Sequence, residues 1–150
     1  MLVIYIDADA CPVKDEVYRV AARYALKVVV VANAHQRVPN DPLVELVVRP
    51  GFGAADDWIA GVAGPGDITI TADVPLAARV VATGGVALDP KGRLFDAASV
   101  GEALAVRDLL DDLRQAGTAT GGPAPMTPKD RSRFLSKLDE TINAIRRTQR

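Results

Sequence analysis

The chain has 150 residues, 49% of them hydrophobic and 25% charged, with a formal net charge of −1. That length suits one domain with a proper core, and the composition excludes a wholly disordered chain. The near-zero charge excludes a polycation that grips nucleic acid by charge alone.

Residues 2–6, Leu-Val-Ile-Tyr-Ile, form a continuous apolar run. Such a run reads as a strand buried on both faces, the signature of a parallel sheet. It is too short for a signal peptide or a membrane span and has no basic residues before it, so a cytoplasmic location is expected. Asp7 to Cys11 forms a turn, and Pro12 suits the first position of a helix. Val13, Val17, Val20, Ala21 and Tyr24 follow at helical spacing. Residues 27–32 and 43–48 are the second and third strands. A turn over Pro50-Gly51-Phe52-Gly53 leads to a helix over about 56–62. Residues 67–71 make the fourth strand, Pro75 starts a helix reaching about residue 82, and residues 86–88 make a short fifth strand.

The last third reads as helical. Ser99 and Glu102 have the spacing of a capping box, and Leu104, Leu109, Leu110 and Leu113 give that helix an apolar face. Gly117 is a natural C-cap, and the Gly-, Thr- and Pro-rich residues 116–128 form a loop. Thr127 caps a terminal helix with Pro128 in its first turn and Phe134, Leu135, Leu138, Ile142 and Ile145 as its buried stripe. The expected fold class is α/β: a three-layer α/β/α sandwich around a mostly parallel sheet, with C-terminal helices. The expected organisation is an α/β domain over 1–115, the loop over 116–128, and a helix over 129–150 packed on the same domain.

Cys11 is the single cysteine and His35 the single histidine. An intrachain disulfide and a Cys/His zinc site are thereby excluded. Cys11 has no arginine six residues on, where Val17 stands, so a tyrosine-phosphatase loop is excluded and a structural thiol is expected. His35, Gln36 and Arg37 follow the second strand and are placed to line a crevice there. Residues 121–150 carry a charge of +4 and the remainder −5. The basic tail is either a solvated helix face or a place for phosphates.

The chemistry points to aspartates. Open parallel sheets bind ligands outside the carboxyl ends of their strands. Asp7 follows the first strand, Asp9 lies on the next turn, Asp73 follows the fourth strand, and Asp56 and Asp57 open a helix. If the first and fourth strands are neighbours, Asp7, Asp9 and Asp73 face one crevice, with Asp56 or Asp57 as a fourth member. Each also has a plain structural role open to it, because aspartate caps helices and forms turns. Asp67 falls at the opposite end of the sheet, and Asp89 before Pro90 reads as a turn residue. Two carboxylates ~5 Å apart repel by roughly 3 kcal/mol at an effective dielectric near 20. A proton or a cation must relieve that, and an oxygen-only site suits Mg²⁺ or Mn²⁺.

Asp7-Ala8-Asp9-Ala10-Cys11-Pro12, Val31-Ala32-Asn33, Ala55-Asp56-Asp57-Trp58-Ile59 and residues 69–78 carry a resemblance, joined by Gly121-Gly122-Pro123 and by Asp130-Arg131 with Phe134. Together they resemble the uncharacterised bacterial YaiI/YqxD family over nearly the whole chain. That family in turn resembles the PIN-like nuclease superfamily. The resemblance implies a divalent-metal-dependent phosphodiesterase acting on RNA or single-stranded nucleic acid. It implies metal ligation by Asp7, Asp56 and Asp73, with Asp9, from the YaiI/YqxD motif, holding a second ion or orienting water. Thr71 would position Asp73 or touch a phosphate, and Lys14, Arg37, Arg79 and the basic tail would meet the substrate backbone. Two other readings stay open. The strand followed by Asp-x-Asp also resembles an aspartate-nucleophile phosphatase, with Asp7 attacking and Asp9 as general acid. The same fold could also serve as a non-catalytic binding or regulatory module.

Overall fold

A computed structural model describes residues 2–115 and 125–149. Six strands form one sheet: β1 (Val3–Asp7), β2 (Lys27–Ala32), β3 (Val44–Val48), β4 (Ile68–Ile70), β5 (Val86–Leu88) and β6 (Leu94–Phe95). Their order is β3-β2-β1-β4-β5-β6. The first five run parallel, and β6 returns antiparallel to β5. The register aligns Ile6 with Val30 on one side and with Ile70 on the other. The chain therefore steps outward from β1 to β2 and β3, then returns to place β4 on the opposite side of β1.

Helices α1 (Lys14–Arg23), α2 (Ala54–Val62), α3 (Val74–Ala82), α4 (Val100–Gln115) and α5 (Pro128–Thr148) supply the outer layers. The two-residue alternation of a strand sends neighbouring side chains to opposite layers. Ile4, Ile6, Val28, Val30, Ile68 and Ile70 pack with Val13, Val17 and Val20 of α1 and with Phe134, Leu138 and Ile142 of α5. Tyr5, Val29, Val31 and Val47 face the other way, against Ala55 and Ile59 of α2 and Leu76 and Val80 of α3. This is the expected three-layer arrangement, and the terminal helix joins the core through the expected stripe. The chain has no helix, among the described residues, long and apolar enough to cross a membrane.

The Thr127 cap forms as read. Its hydroxyl accepts from the Asp130 amide at 3.1 Å, and the Asp130 carboxylate accepts from the Thr127 amide at 3.0 Å. Two orphan amides are satisfied reciprocally, and the same bond holds the Asp130 carboxyl below its ordinary pKa. Thr127→Ala is expected to cost about 1 kcal/mol of unfolding free energy, measured by urea titration.

Four local expectations give way. Pro12 does not open α1: a 3-10 turn over Ala8–Ala10 intervenes, and the first α-helical bond runs from the Val17 amide to the Val13 carbonyl. Pro12 instead offers its carbonyl to Arg131 of α5 at 2.8 Å. Asp56 and Asp57 do not cap α2, whose N-cap is Gly53 in the left-handed region, at φ 73°. Ser99 makes no box with Glu102; its hydroxyl donates to the Leu94 carbonyl at 3.2 Å, and the Asp96 carboxylate accepts from the Ala98 and Ser99 amides. The apolar face of α4 is only partly covered. Ala103 is buried against Ala77, Ala87 and Phe95, while Leu109 and Leu110 are exposed. Gly117 and Gly121-Gly122-Pro123 lie outside the described residues.

Candidate functional site

Strand order decides where the acids meet. With β1 between β2 and β4, the direction of winding reverses at the β1–β4 boundary, and a crevice opens there beyond the carboxyl ends. A cavity of about 520 Å³ occupies that position, and Asp7, Asp9, Asp56 and Asp73 all line it, with Asn33 and Phe52 among their neighbours.

Each acid is delivered by a different element. Asp7 is the last residue of β1, and its Oδ2 accepts a hydrogen bond from the Thr71 hydroxyl at 2.8 Å. Thr71 is buried, and its oxygen also accepts from the Asp73 amide at 3.0 Å. One hydroxyl thus ties the end of β1 to the turn after β4. Asp73 itself is the N-cap of α3, its Oδ1 accepting from the Leu76 amide at 3.1 Å. Its structural role is therefore real, and it fixes one carboxylate oxygen while the carboxylate still borders the cavity.

Asp9 caps no helix. Its carboxylate accepts from the Asn33 amide at 3.1 Å and from Gln36 Nε2 at 3.4 Å, which ties the turn after β1 to the loop after β2. Lys14 Nζ donates to Gln36 Oε1 at 2.9 Å, extending this bridge. Lys14 is thereby drawn into a network beside the cavity and is not among the residues lining it, and neither is the exposed Arg37. His35 is likewise an exposed loop residue outside the lining.

Asp56 and Asp57 separate cleanly. Asp57 pairs with Arg79 at 2.8 Å, and both are exposed. Asp56, one position earlier, faces the cavity. The remaining acids fall as read. Asp67 accepts from the Val3 and Gly64 amides at 3.1 Å each, at the far end of the sheet. Asp89 accepts from the Lys91 and Arg93 amides in the turn between β5 and β6.

The acids disturb one another. Burial raises the Asp7 carboxyl above its ordinary pKa, with the charges of Asp73 and Asp9 adding to it and the Thr71 hydrogen bond opposing it. Burial, then the charges of Asp7 and Asp73, push Asp56 up to about 6, against the opposing pull of Arg79. Among the described residues no three acidic, histidine or cysteine side chains are placed to hold a metal ion. The acids share a cavity and repel across it. Burial also pushes the Cys11 thiol up to about 11, so it stays a protonated, packed group at neutral pH.

A raised carboxyl has a defined thermodynamic sign. The native state holds the Asp56 proton more tightly than the unfolded chain does, so native stability falls as pH rises from the unfolded value near 4 towards 6 and stays lower above it. Asp56→Asn removes that charge. In EDTA the variant is expected to melt above wild type at pH 7.5, to keep about half of that advantage at pH 5 and to lose it below the unfolded value near 4, as read by thermal unfolding.

The residues missing from the sequence reading of the cavity wall were Phe52 and, as more than a motif residue, Asn33. Asn33 is the backbone partner of Asp9. Phe52 stands at 109% relative exposure between two glycines, a signal that an apolar ring in a turn could have supplied.

Residues 5–144 match the family model described as "Uncharacterized BCR, YaiI/YqxD family". A UPF0178 protein of Rhodopseudomonas palustris (strain BisB18) is 57% identical over 148 residues, covering 98% of this chain and 96% of that protein. A UPF0178 protein of Bradyrhizobium sp. (strain ORS 278) is 55% identical, with 97% and 90% covered. One from Nitrobacter winogradskyi is 55% identical, with 96% and 92% covered. No solved structure matches.

Proposed function

The chain belongs to the uncharacterised YaiI/YqxD family, and from that premise we propose that it is a PIN-like, Mg²⁺- or Mn²⁺-dependent phosphodiesterase acting on RNA or single-stranded nucleic acid. One observation carries the reading: Asp7, Asp9, Asp56 and Asp73, from three separate segments, line one cavity at the point where the sheet reverses its winding.

The donor chemistry fits a hard divalent cation. All the donors are oxygen; burial raises Asp7 and Asp56, and the repulsion from neighbouring carboxylates that adds to the rise is what a cation would relieve. Mg²⁺ is held by one or two carboxylates and completes its shell with water and substrate phosphate, so it needs no closed protein cage. The turn after β1 is acidic, so a phosphate could approach it only with a cation between them. No three acids of the described residues are grouped to hold an ion together, so Asp7 with one of Asp56 and Asp73 would hold it and water would complete its shell. The ion would supply positive charge to polarise a phosphodiester and would make water acidic enough to attack at neutral pH.

The protein's own part is to hold these groups still. Thr71 fixes Asp7 Oδ2, and Leu76 fixes Asp73 Oδ1, so both carboxylates reach the cavity in set orientations. Asp9 anchors the loop after β2 against the turn after β1 and is the nearest candidate to orient water. Arg79, paired with Asp57 next to Asp56, would meet a phosphate of the strand backbone.

Calorimetric titration of Mn²⁺ into metal-free protein tests the reading, with cleavage of end-labelled single-stranded RNA as the activity arm. Absence of binding at millimolar Mn²⁺ would sink it. Thr71→Val, which keeps the shape and removes the hydroxyl, is expected to weaken Mn²⁺ binding about 10- to 100-fold, the usual cost of losing the group that orients a ligand. It also removes the bond that opposes the rise of the Asp7 pKa, so binding should recover in part as pH is raised.

A further inference from the structure

Phe52 stands apart from the rest of the surface. It is the one aromatic side chain among the exposed large hydrophobic residues of the described chain, and at 109% relative exposure its ring is in water on all sides. Phe52 is at the same time one of the residues that line the aspartate cavity. Folding places it there by a defined backbone. Gly51 at φ 110° and Gly53 at φ 73° flank it, both in the region that side chains rarely adopt. The Ala54 amide bonds the Gly51 carbonyl at 3.2 Å and the Asp57 amide bonds the Gly53 carbonyl at 2.9 Å. The turn is thus pinned to the start of α2, two residues from the helical turn that carries Asp56. A hydrophobic ring would ordinarily gain by turning inward. Here it is held outward, at the mouth of a cleft whose floor is acidic.

The surroundings select what can lie on such a ring. Arg49 ends the segment after β3, its amide bonded to the Ala32 carbonyl at 2.8 Å and its guanidinium 5.4 Å from the centre of the Trp58 ring. Arg37 lies exposed on the loop after β2, and Arg79 lies exposed on α3, paired with Asp57. An apolar ring at an aspartate cavity, with arginines seated on Trp58 and Asp57 of the helix that follows it, matches an unpaired nucleotide, whose flat base stacks while its phosphates meet arginine. A base inside a duplex has both faces covered and cannot use the ring.

We propose that Phe52 is a stacking platform for an unpaired nucleobase next to the phosphodiester bound in the aspartate cavity. This inference rests on the phosphodiesterase reading and names the residue that would select the unpaired form of its substrate.

The test is anisotropy binding of a short fluorescein-labelled single-stranded RNA, and of the same DNA strand, in Ca²⁺ to hold the ion site. Phe52→Ala should weaken binding about 10-fold, and Phe52→Trp should restore it. A strand made abasic should bind wild type as weakly as the intact strand binds Phe52→Ala, with no further loss when the two changes are combined. Because the ring touches no core residue, both variants should melt with wild type. Unchanged affinity in Phe52→Ala, equal binding of intact and abasic strands, or tighter binding of duplex would overturn the inference. If wild type cleaves the strand in Mn²⁺ and Phe52→Ala binds it unchanged, only the stacking inference fails. If Phe52-dependent binding appears with no cleavage, the phosphodiesterase reading fails and the platform stands.

Discussion

Asp7→Asn is expected to lose Mn²⁺ binding and, with it, more than about 100-fold of any hydrolytic activity. The size follows from the position of the group. Groups that merely orient a metal ligand are worth about 10- to 100-fold when removed, and Asp7 is proposed as a ligand itself. Its Oδ2 already accepts from Thr71, so the amide must either give up that bond or turn its NH2, which cannot ligate a cation, to the ion. The variant should fold, because Asn keeps the shape and lowers the charge crowding around Asp56 and Asp73. Its metal-free melting temperature should therefore equal or exceed that of wild type at pH 7.5, by the same sign argued for Asp56→Asn. A variant that binds Mn²⁺ as wild type does would remove Asp7 from the ligand set. Calorimetry and the RNA cleavage assay read the two effects separately.

Phe134→Ala is the largest expected stability change. Phe134 is fully buried in the layer where α5 meets α1 and the sheet, among Leu138, Ile142 and the strand residues Ile4 and Ile6. Truncating a buried phenylalanine costs about 3–5 kcal/mol through lost transfer energy and the cavity left behind. For a chain of this length that corresponds to a fall in melting temperature of roughly 10 °C. The loss should be read in urea unfolding as a lower midpoint with an unchanged slope. The effect reaches the site only indirectly. Arg131, one turn before Phe134, donates to the Pro12 carbonyl at 2.8 Å and to Glu16 at 3.0 Å. Below its own transition Phe134→Ala should keep most of the wild-type Mn²⁺ affinity, which separates a core defect from a site defect.

The fold was legible where apolar runs were long. β2 and β5 appear over the residues read for them, and β1, β3 and β4 differ by about a residue at their ends. β6 was not legible, because Leu94-Phe95 is too short for any period to register. Helix starts were read less well, for a common reason. A capping side chain competes with other local donors and acceptors, and sequence spacing does not say which wins. Gly53 took the N-cap of α2 by its backbone conformation, and Asp96 took the Ser99 amide that Glu102 was expected to serve.

The site was legible as far as topology carries it. Asp7 and Asp73 had to converge once β1 and β4 were neighbours. Resemblance alone separated Asp56 from Asp57, and the Arg79 pair supplies the physical reason. What sequence could not give was the traffic across loops: Asp9 to Asn33, Lys14 to Gln36, and Thr71 to Asp7 in place of a purely local role. Those bonds span between 22 and 64 residues, and no periodicity encodes them.

The β1–β4 pair is fastened at both of its ends. Asp67 grips the Val3 amide at the start, and Thr71 grips Asp7 at the finish, with the register Ile4 to Ile68 between them. Side chains alternate with a period of two, so a slip of one residue would turn Ile6 and Ile70 out of their layer and break both fastenings together. A misaligned strand pair cannot hide behind a well-packed core here. The same alignment that seats the isoleucines also sets the carboxylate, so assembly of the interior proofreads the spacing of the chemistry above it.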